Sequence, residues 1–323
     1  MKSPDLSTFT SRLYFSGQLG FSTGLRIGAT RATDVAGADL SILRDTLGRP
    51  YIPGSSFKGA LRSYVESVLR TLQDRPDLRD RNLACLSVGK PGDRPEGEAE
   101  PHVCLTQQEV SLLKDIAPDD WATSPRLPAP LKRRLPDEEE VKGLIQENSP
   151  QAVLDNTLRD LSCWACRVFG APWMAAKALV RDLMLSEELA WPIELRTGVA
   201  IDRDAGRAYP GQLYDLEVLP AGVAFDLHIL VENADPSELG LLWLGISAFE
   251  RGEVPLGGAR SRGLGWCSLT PNWERSRYIS QENLIDFLFS PEDQFGKADL
   301  ANMPARWVRA FGQAIGAIPA EGG

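Results

Sequence analysis

Apolar side chains recur along this chain with two different periods, and the change from one period to the other predicts the order of its elements. Residues 8–19 and 224–231 alternate apolar and polar side chains, which is typical of half-buried strands. Residues 53–69 carry apolar side chains three and four positions apart, which predicts an amphipathic helix, and residues 153–169 are also predicted to be helical. A further helix is expected after Asp235, where Asp-Pro-Ser-Glu forms a capping box with proline at the first helical position.

The remaining patterned segments complete the order strand, helix, strand, hairpin, strand, helix, strand. Residues 178–185 and 266–269 predict strands, and residues 194–219 predict a long hairpin with its turn near Asp204 and Gly206. Few apolar side chains lie in this hairpin, so it is expected either to project toward a partner or to form a solvated ribbon. Split βαβ units in this order predict an α+β fold, namely a ferredoxin-like antiparallel sheet with helices on one face.

Two segments depart from this order and define the domain organisation. Residues 73–150 are rich in Pro, Gly, Asp, Glu and Arg, which predicts an insertion that is mostly loop. Residues 271–323 contain two amphipathic patterns, near 282–288 and 304–318, which predict a C-terminal helical extension. Residues 1–323 are therefore expected to form a single elaborated domain.

Composition narrows the possible functions. The net charge of −9 argues against a protein that coats nucleic acid, although it leaves room for a local basic groove. The sequence contains no run of about 20 apolar residues and no signal-peptide pattern, so we expect a cytoplasmic protein that does not enter a membrane. Five cysteines, an odd number, suit reduced thiols or metal ligands better than a disulfide framework.

The cysteine spacing predicts a structural metal site. Cys163 and Cys166 form a Cys-x-x-Cys pair, and Cys85 and Cys104 lie in the insertion. Together they supply the thiolates of a closed tetrahedral Zn²⁺ site, which would staple the insertion onto the main body. His102 lies two residues from Cys104 and is an alternative ligand. A set of small buried cysteines without a metal is the other interpretation.

The segment from Pro50 to Arg62, Pro-Tyr-Ile-Pro-Gly-Ser-Ser-Phe-Lys-Gly-Ala-Leu-Arg, has the features of an anion-binding helix start. Ser55 or Ser56 can cap the helix, and Lys58 lies in its first turn, where free backbone N–H groups and the helix dipole favour a phosphate. The segment lacks the Lys and Ser/Thr of a nucleotide-binding P-loop, so a mononucleotide is not the expected ligand. An ordinary capped amphipathic helix is the alternative interpretation.

A glycine-rich stretch before the last predicted strand offers a second backbone-binding surface. Residues 257–265 interleave glycines with Arg260 and Arg262, which suits close approach to a nucleic-acid backbone. The third glycine of a dinucleotide fingerprint is missing, and a strand follows where that motif requires a helix. A plain glycine-rich connection between elements is the alternative.

Candidate catalytic residues are few. His228 lies in an alternating strand and is expected to be a core or face residue rather than a general base. The loop carboxylates Asp34, Asp39 and Asp45 remain, because a carboxylate beside a phosphate chain can hold Mg²⁺ or position a 2′-hydroxyl for in-line attack. A loop aspartate is more often simply solvated.

The segments 37–45, 50–62 and 255–265 form an ordered set of motifs that is more specific than any one of them. Together they resemble the RAMP superfamily of CRISPR effector proteins, and within it the repeated backbone subunit of type III complexes. The likeness extends over most of residues 8–270. It implies an RRM-like fold that binds guide RNA, with a projecting thumb hairpin, here 194–219, that interrupts the guide:target duplex at regular intervals.

The resemblance also implies roles for individual residues. Asp39 falls at the place of the loop aspartate with which catalytic members cut target RNA, using a divalent cation such as Mg²⁺ or Mn²⁺. The guide phosphates would be held by Ser55, Ser56, Lys58 and Arg62, with Arg260 and Arg262 as further cations. The Cys-x-x-Cys pair before Phe169 resembles the zinc-bearing versions found in type III-D and III-E relatives.

The sequence therefore predicts a subunit that binds guide RNA and complementary target RNA and that cleaves the target as a metal-dependent endoribonuclease. Its further partners would be other CRISPR effector subunits, including further copies of backbone subunits. A non-catalytic scaffold of the same family is the first alternative, and a zinc-stabilised enzyme that binds a phosphorylated small molecule at residues 53–58 is the second. The long acidic insertion departs from the family pattern and leaves the subtype open.

Overall fold

The computed structural model describes residues 8–28, 41–78, 81–85, 104–187, 193–202, 204, 207–289 and 300–319. Its strands are β1 (Ser11–Phe21), β2 (Tyr51–Ile52), β3 (Ala178–Val180), β4 (Leu183–Leu185), β5 (Glu194–Asp202), β6 (Arg207–Val218), β7 (Ala224–Glu232), β8 (Cys267–Pro271) and β9 (Arg277–Ser280). Its helices are α1 (Gly54–Gln73), α2 (Gln107–Asp115), α3 (Ala129–Lys132), α4 (Glu138–Glu147), α5 (Pro150–Leu161), α6 (Trp164–Phe169), α7 (Pro236–Glu250), α8 (Leu284–Phe289) and α9 (Met303–Ala314). Within these ranges, each helix is too short or too polar to cross a membrane.

The main body is an antiparallel sheet with β1 near its centre. Strand β1 pairs with β7 on one side and with β8 and β9 on the other, and β4 joins β7 to β2 at one edge. Strand β3 also pairs with β7. Leu13, Phe15 and Leu19 alternate with more exposed residues along β1, so one face of this strand lies in the core. This arrangement confirms the predicted α+β fold with its antiparallel sheet.

Helices α1 and α7 cover the apolar face of the sheet and pack against each other. Phe57 of α1 lies against Phe249 of α7, with ring centroids 4.7 Å apart. Phe15 of β1 meets Trp243 of α7 edge to face, with ring centroids 5.3 Å apart. Because aromatic rings bury large apolar areas, these contacts fix both helices on the sheet.

Helix α7 begins at the predicted capping box, and α9 packs over it. The Asp235 carboxylate accepts a hydrogen bond from the N–H of Glu238, and the Glu238 carboxylate accepts one from the N–H of Asp235. A Cβ at Gly240 would collide with the carbonyl group of Trp307, so glycine permits the close approach of α9. Because β9 also pairs with β1, both β9 and α9 attach the described part of residues 271–323 to the main body.

The insertion is more ordered than its composition predicts. Helices α2, α3 and α4 of the insertion and α5, which follows it, contribute to a second apolar cluster around Trp121, whose side chain is fully buried. The described part of residues 73–150 therefore contains helices α2, α3 and α4, which the prediction of mostly loop did not include. Its polar residues include helix caps: Thr106 forms a capping box with Glu109, and Asp137 accepts a hydrogen bond from the first turn of α4.

Two predicted elements are each divided in the structure. The helix predicted over 153–169 is two helices, α5 and α6, with the break at Ser162 and Cys163. Cys163 has extended backbone angles, φ −69° and ψ 160°, which interrupt the helix, and its Sγ accepts a hydrogen bond from the N–H of Cys85 at 3.3 Å. The strand predicted over 178–185 is likewise divided into β3 and β4, which both pair with β7.

The predicted hairpin is confirmed as β5 and β6, which form a separate two-stranded sheet. Its base is anchored, because Leu216 and Val218 pack with Leu264 of the glycine-rich segment. The side chain of Leu195, which pairs with Glu217 at this base, is 67% exposed, and that of Leu213, farther along the hairpin, is 70% exposed. The hairpin is therefore fixed at its base, while other apolar side chains along it remain open to solvent.

Candidate nucleic-acid interface and metal centre

A groove of about 410 Å³ brings together the two motifs whose residue types favour an anion. One wall is the first part of α1, and the other is the glycine-rich loop between α7 and β8. The residues that line it include Ser56, Gly59 and Ser63 from α1 and Gly257, Gly258 and Arg260 from the loop. These small or hydroxyl-bearing residues leave the backbone accessible, so the groove suits a polar chain that contacts main-chain atoms.

The start of α1 is held by the sheet rather than by its own serines. Pro53 is the N-cap residue and makes no side-chain cap; instead, the N–H of Gly54 donates to Asp182 Oδ1 at 2.8 Å. The expectation that Ser55 or Ser56 caps this helix is therefore wrong, because a carboxylate from the turn between β3 and β4 binds the free N–H. Ser55 is exposed, and Ser56 lines the groove.

The glycine-rich loop adopts a conformation that needs its glycines. Gly257 and Gly263 have φ angles of 92° and 82°, a region that side chains disfavour. The N–H of Gly258 donates to the carbonyl oxygen of Arg26 at 2.8 Å, and a Cβ on Gly257 would meet the same oxygen. The residues Arg260–Arg262 between these glycines form a short 3₁₀ turn. The loop is therefore fixed against the segment around Arg26.

The two arginines of this loop lie in different surroundings. Arg260 is exposed and lines the groove. Arg262 donates a hydrogen bond to the hydroxyl of Tyr214 on β6, and its guanidinium lies 5.5 Å from the centroid of that ring. Arg262 thus joins the loop to the base of the hairpin, whereas Arg260 brings a positive charge to the groove.

Arg26 lies beside the groove, and this position was not predicted from the sequence. A Cβ built at Gly28 or at Gly258 would lie 3.0 Å from a guanidinium nitrogen of Arg26, so the two glycines leave room for this side chain. Both glycines line the groove, so the Arg26 guanidinium lies next to the groove lining, although Arg26 is not itself a lining residue. Its Nε is buried and has no hydrogen-bond partner among the described residues. Gly258 is distant from Arg26 along the chain, so nothing in the sequence indicated that the two meet. The one local signal was that Arg26 lies two residues before Gly28.

Lys58 and Arg62 lie one turn apart on α1, and neither is among the groove-lining residues. Arg62 Nε donates to Glu66 Oε1 at 2.7 Å, and Nη1 donates to the carbonyl oxygen of Gly170 at 2.9 Å. Its Nη2 donates to Cys166 Sγ at 3.6 Å. Burial lowers the pKa of Lys58, and the nearby charge of Arg62 lowers it further. These bonds engage three of the five guanidinium N–H donors of Arg62, so its contact with a guide phosphate stays a prediction.

Four buried cysteines, Cys85, Cys104, Cys163 and Cys166, form a cluster in which all Sγ atoms lie within 4.8 Å of one another. The Sγ of Cys166 is 3.6 Å from that of Cys85 and 3.8 Å from that of Cys104. A tetrahedron with Zn–S bonds of about 2.3 Å has sulfur–sulfur edges of about 3.8 Å, whereas a disulfide needs about 2.05 Å. The cluster, defined by these four residues, therefore has the dimensions of a tetrathiolate metal site.

The four thiols cannot ionise independently of one another. Hydrogen bonding with Cys163 lowers the pKa of Cys104, and the contacts with Cys104 raise the pKa of Cys163 and of Cys166. A bound dication would favour the thiolate form of all four, and thiolates are a donor set that Zn²⁺ prefers. His102, the alternative ligand, lies outside the described residues.

The aspartates considered for catalysis are only partly described. Asp34 and Asp39 lie outside the described residues. Asp45 organises a turn, because its carboxylate accepts hydrogen bonds from the N–H groups of Leu47 and Arg49 and pairs with the Arg49 guanidinium at 2.8 Å. These bonds engage both carboxylate oxygens of Asp45 in the loop conformation.

The fold and the groove define an RRM-like α+β domain with a polar groove between a helix start and a glycine-rich loop. The family model of the RAMP superfamily matches residues 21–268 of this chain. Because the match covers most of its length, the protein belongs to the RAMP superfamily.

Two curated relatives match a shorter part of the chain. Both carry the name CRISPR system Cms endoribonuclease Csm3, one from Methanocaldococcus jannaschii and one from Methanothermobacter thermautotrophicus. They are 38% and 42% identical to this chain over 60 residues. That stretch is 18% of this chain and 24% of each relative, so the similarity spans about a quarter of their length.

Proposed function

We propose that this protein is a guide-RNA-binding backbone subunit of a type III CRISPR effector complex. Membership of the RAMP superfamily and the two relatives named as CRISPR endoribonucleases support this assignment. The structural observation that carries it is the groove, in which two motifs far apart in sequence form one polar surface. Guide RNA, complementary target RNA and further effector subunits, including other backbone subunits, would be its partners.

The groove suits a sugar–phosphate backbone better than base edges. Ser56 contributes a hydroxyl, Gly258 allows close approach to the main chain, and Arg26 and Arg260 bring positive charge. Contacts of this kind hold an RNA in register without reading its sequence. Sequence recognition would then come from base pairing between guide and target.

We assign outer contacts of the same RNA to Ser55, Lys58 and Arg262. Ser55 is exposed at the start of α1, and Lys58 follows one turn later. Since burial and a neighbouring cation lower the pKa of Lys58, a bound phosphate would favour its protonated form. Arg262 contacts the hairpin, so RNA in the groove would lie near the hairpin base, as a thumb function requires.

Cleavage of the target RNA is assigned to Asp39. Support comes from the resemblance of residues 37–45 to catalytic RAMP proteins and from the names of the two relatives. The chain enters and leaves this loop beside the groove, because groove-lining Gly28 pairs with Ile42 in an isolated β-bridge. A divalent cation, Mg²⁺ or Mn²⁺, would supply stabilisation of the charge that develops on the phosphate during attack by the 2′-hydroxyl.

The four-cysteine cluster is assigned to a structural Zn²⁺. Four thiolates close a tetrahedral site and leave no open position for a substrate, so this metal would support the fold rather than the reaction. Its ligands come from residues 81–85, from the end of the segment that precedes α2, and from α6 with the residue before it. The metal would therefore join the insertion to the main body.

Replacing Asp39 by Ala in the assembled complex tests the catalytic assignment. We expect metal-dependent cleavage of complementary RNA to fall by roughly 100-fold or more. Loss of a residue that only hydrogen-bonds to a metal ligand already lowers activity by about 10- to 100-fold, and loss of the ligand itself should cost at least as much. Guide-RNA binding should be unchanged, and Asp34→Ala is the matched loop control that should keep cleavage.

Cleavage that survives in Asp39→Ala with binding intact would show that Asp39 is not the cutting residue. Loss of cleavage in Asp34→Ala alone would transfer the role to that carboxylate. A wild-type complex that binds target RNA but never cuts it would favour the non-catalytic scaffold. Absence of any co-purifying short RNA would instead favour the second alternative, an enzyme that binds a phosphorylated small molecule.

A further inference from the structure

We infer that Arg62 is a positioning residue of the metal centre, where its guanidinium offsets the negative charge of the thiolates and fixes Cys166. This role rests on the proposed structural metal. It assigns to Arg62 a function that differs from the phosphate contact expected from its position on α1.

The cluster needs positive charge within contact distance. Four thiolates and one dication carry a formal charge of about −2, and the four cysteines are 0% to 5% exposed. Burying such a charge without compensation is unfavourable, because the protein interior solvates ions poorly. N–H donors and cations beside the sulfurs are the groups that offset this cost.

Arg62 meets this requirement at one sulfur of the cluster, that of Cys166. Its Nη2 donates to the Sγ of Cys166, 3.6 Å away, and that sulfur is itself within 3.8 Å of the Sγ atoms of Cys85 and Cys104. Its Nη1 donates to the carbonyl oxygen of Gly170, which ends α6 one turn after Cys166. One planar guanidinium thus holds both a sulfur and the backbone of the helix that presents it.

Glu66 keeps the guanidinium in this orientation. Its side chain is 7% exposed and accepts from Arg62 Nε at 2.7 Å. Arg70, one turn farther along α1, lies 3.7 Å from the other carboxylate oxygen of Glu66. The three side chains together retain one positive charge, and Arg62 is the member in contact with a sulfur.

Arg134 of the insertion approaches the cluster in a different way. Its Nη2 donates to the carbonyl oxygen of Cys104 at 2.5 Å and to that of Leu161 at 3.2 Å. These acceptors are backbone atoms, so Arg134 orients the chain around Cys104 and is not directed at a thiolate. Within the described residues, the guanidinium hydrogen bond to a cluster sulfur is made by Arg62.

The test is the zinc affinity of the full-length protein, measured by competition with a chelator, for the wild type, Arg62→Met and Arg70→Met. Methionine keeps much of the aliphatic stem, and Arg70→Met removes the neighbouring cation that shares Glu66. We expect Arg62→Met to bind zinc about 10- to 100-fold more weakly, as for other outer-shell groups. Arg70→Met should stay close to the wild type. Equal affinity of Arg62→Met and the wild type would overturn the inference.

Cobalt substitution separates an effect on the sulfur from general loss of stability. The energy of the sulfur-to-cobalt charge-transfer bands depends on electron density at the thiolates, so removing an N–H donor should shift them. We expect a shift in Arg62→Met, a smaller one in Arg62→Lys and none in Arg70→Met. Unshifted bands in Arg62→Met, with only a lower unfolding temperature, would mean a merely structural side chain and would overturn the inference.

Two controls distinguish this inference from the assignments it depends on. A wild-type protein that binds no zinc would remove the metal centre and the role of Arg62 together, whereas zinc binding that is insensitive to Arg62→Met removes the role of Arg62 alone. The salt dependence of RNA binding should be the same in Arg62→Met as in the wild type. A slope smaller by about 0.7, the value for one lost phosphate contact with a single strand, would assign Arg62 to the RNA instead.

Discussion

Replacing Cys166 by Ser is the most direct perturbation of the proposed metal centre. Cys166 Sγ lies 3.6 Å and 3.8 Å from the Sγ atoms of Cys85 and Cys104, so the substitution removes a ligand that contacts two of the other three. Structural zinc sites bind with apparent free energies of about 10–16 kcal/mol, or roughly 3 kcal/mol for each of four ligands. At about 1.4 kcal/mol per factor of ten, the variant should bind zinc roughly 100-fold more weakly or worse.

The structural consequence should be confined to one region. The insertion has its own apolar cluster around Trp121, separate from the core that contains the sheet. Loss of the metal is therefore expected to loosen residues 81–85 and the attachment of α2 to α5, while the sheet remains folded. Hydrogen exchange should become faster in these segments and stay slow in β1 and β7.

Zinc content after gel filtration with a mild chelator is the assay. The wild type should retain about one zinc per chain and Cys166→Ser a small fraction of that. Cys267→Ser is the matched control, because Cys267 is also buried but lies outside the cluster, with its Sγ 3.5 Å from the carbonyl oxygen of Val254. Full zinc retention by Cys166→Ser, or a wild type that binds none, would refute the tetrathiolate site.

Two further predictions concern helix packing and thiol chemistry. Gly240→Ala should destabilise the protein by about 1–3 kcal/mol in urea unfolding, because the new methyl group would collide with the carbonyl group of Trp307. Gly143→Ala in α4, where a Cβ meets nothing within 4 Å, should stabilise it by about 0.5–1 kcal/mol, and equal effects would contradict the close packing of α9. Burial raises the pKa of Cys267 from 9.0 to about 12, which favours the neutral thiol in the folded state. The contribution of the Cys267 thiol to the free energy of unfolding is therefore complete below pH 9.0 and falls as the pH rises toward 12. Cys267→Ala should remove this part of the loss of stability at high pH. Identical pH profiles of the free energy of unfolding for Cys267→Ala and the wild type would argue against this contribution.

The fold was predictable where a hydrophobic period runs long enough to define a face. This holds for β7, which alternates over its whole length, for β1, which alternates over most of it, and for α7, whose capping box is continuous in sequence. The insertion was not predictable from composition, because Thr106, Asp137 and Ser149 are polar residues that cap helices there rather than residues of loops. Short helices carry too few apolar positions for periodicity to reveal them.

The candidate site also has a part that was predictable from the sequence and a part that was not. The cysteine set was expected from spacing and residue type, and the structure brings its four members together. The partners of Arg62 were not predictable, since Cys166 and Gly170 lie 104 and 108 residues away in sequence. The carboxylate that binds the Gly54 N–H, Asp182, is 128 residues away. The helical period of the sequence identifies the polar face of α1. Tertiary packing determines which groups of the rest of the chain contact that face.

RNA binding by the groove is the central claim, and its salt dependence is the most direct test. Labelled single-stranded RNA is titrated at several salt concentrations with the wild type, with the double variant Arg26→Ala/Arg260→Ala, and with Arg126→Ala as a control. Arg126 is an insertion residue whose side chain is 57% exposed and pairs with Asp115 at 3.5 Å. The slope of log affinity against log salt should be smaller by about 1.4 in the double variant, or about 0.7 for each lost phosphate contact, and unchanged in the control. Equal slopes in all three proteins, or a wild type that does not bind RNA even at low salt, would contradict a groove that binds the RNA backbone.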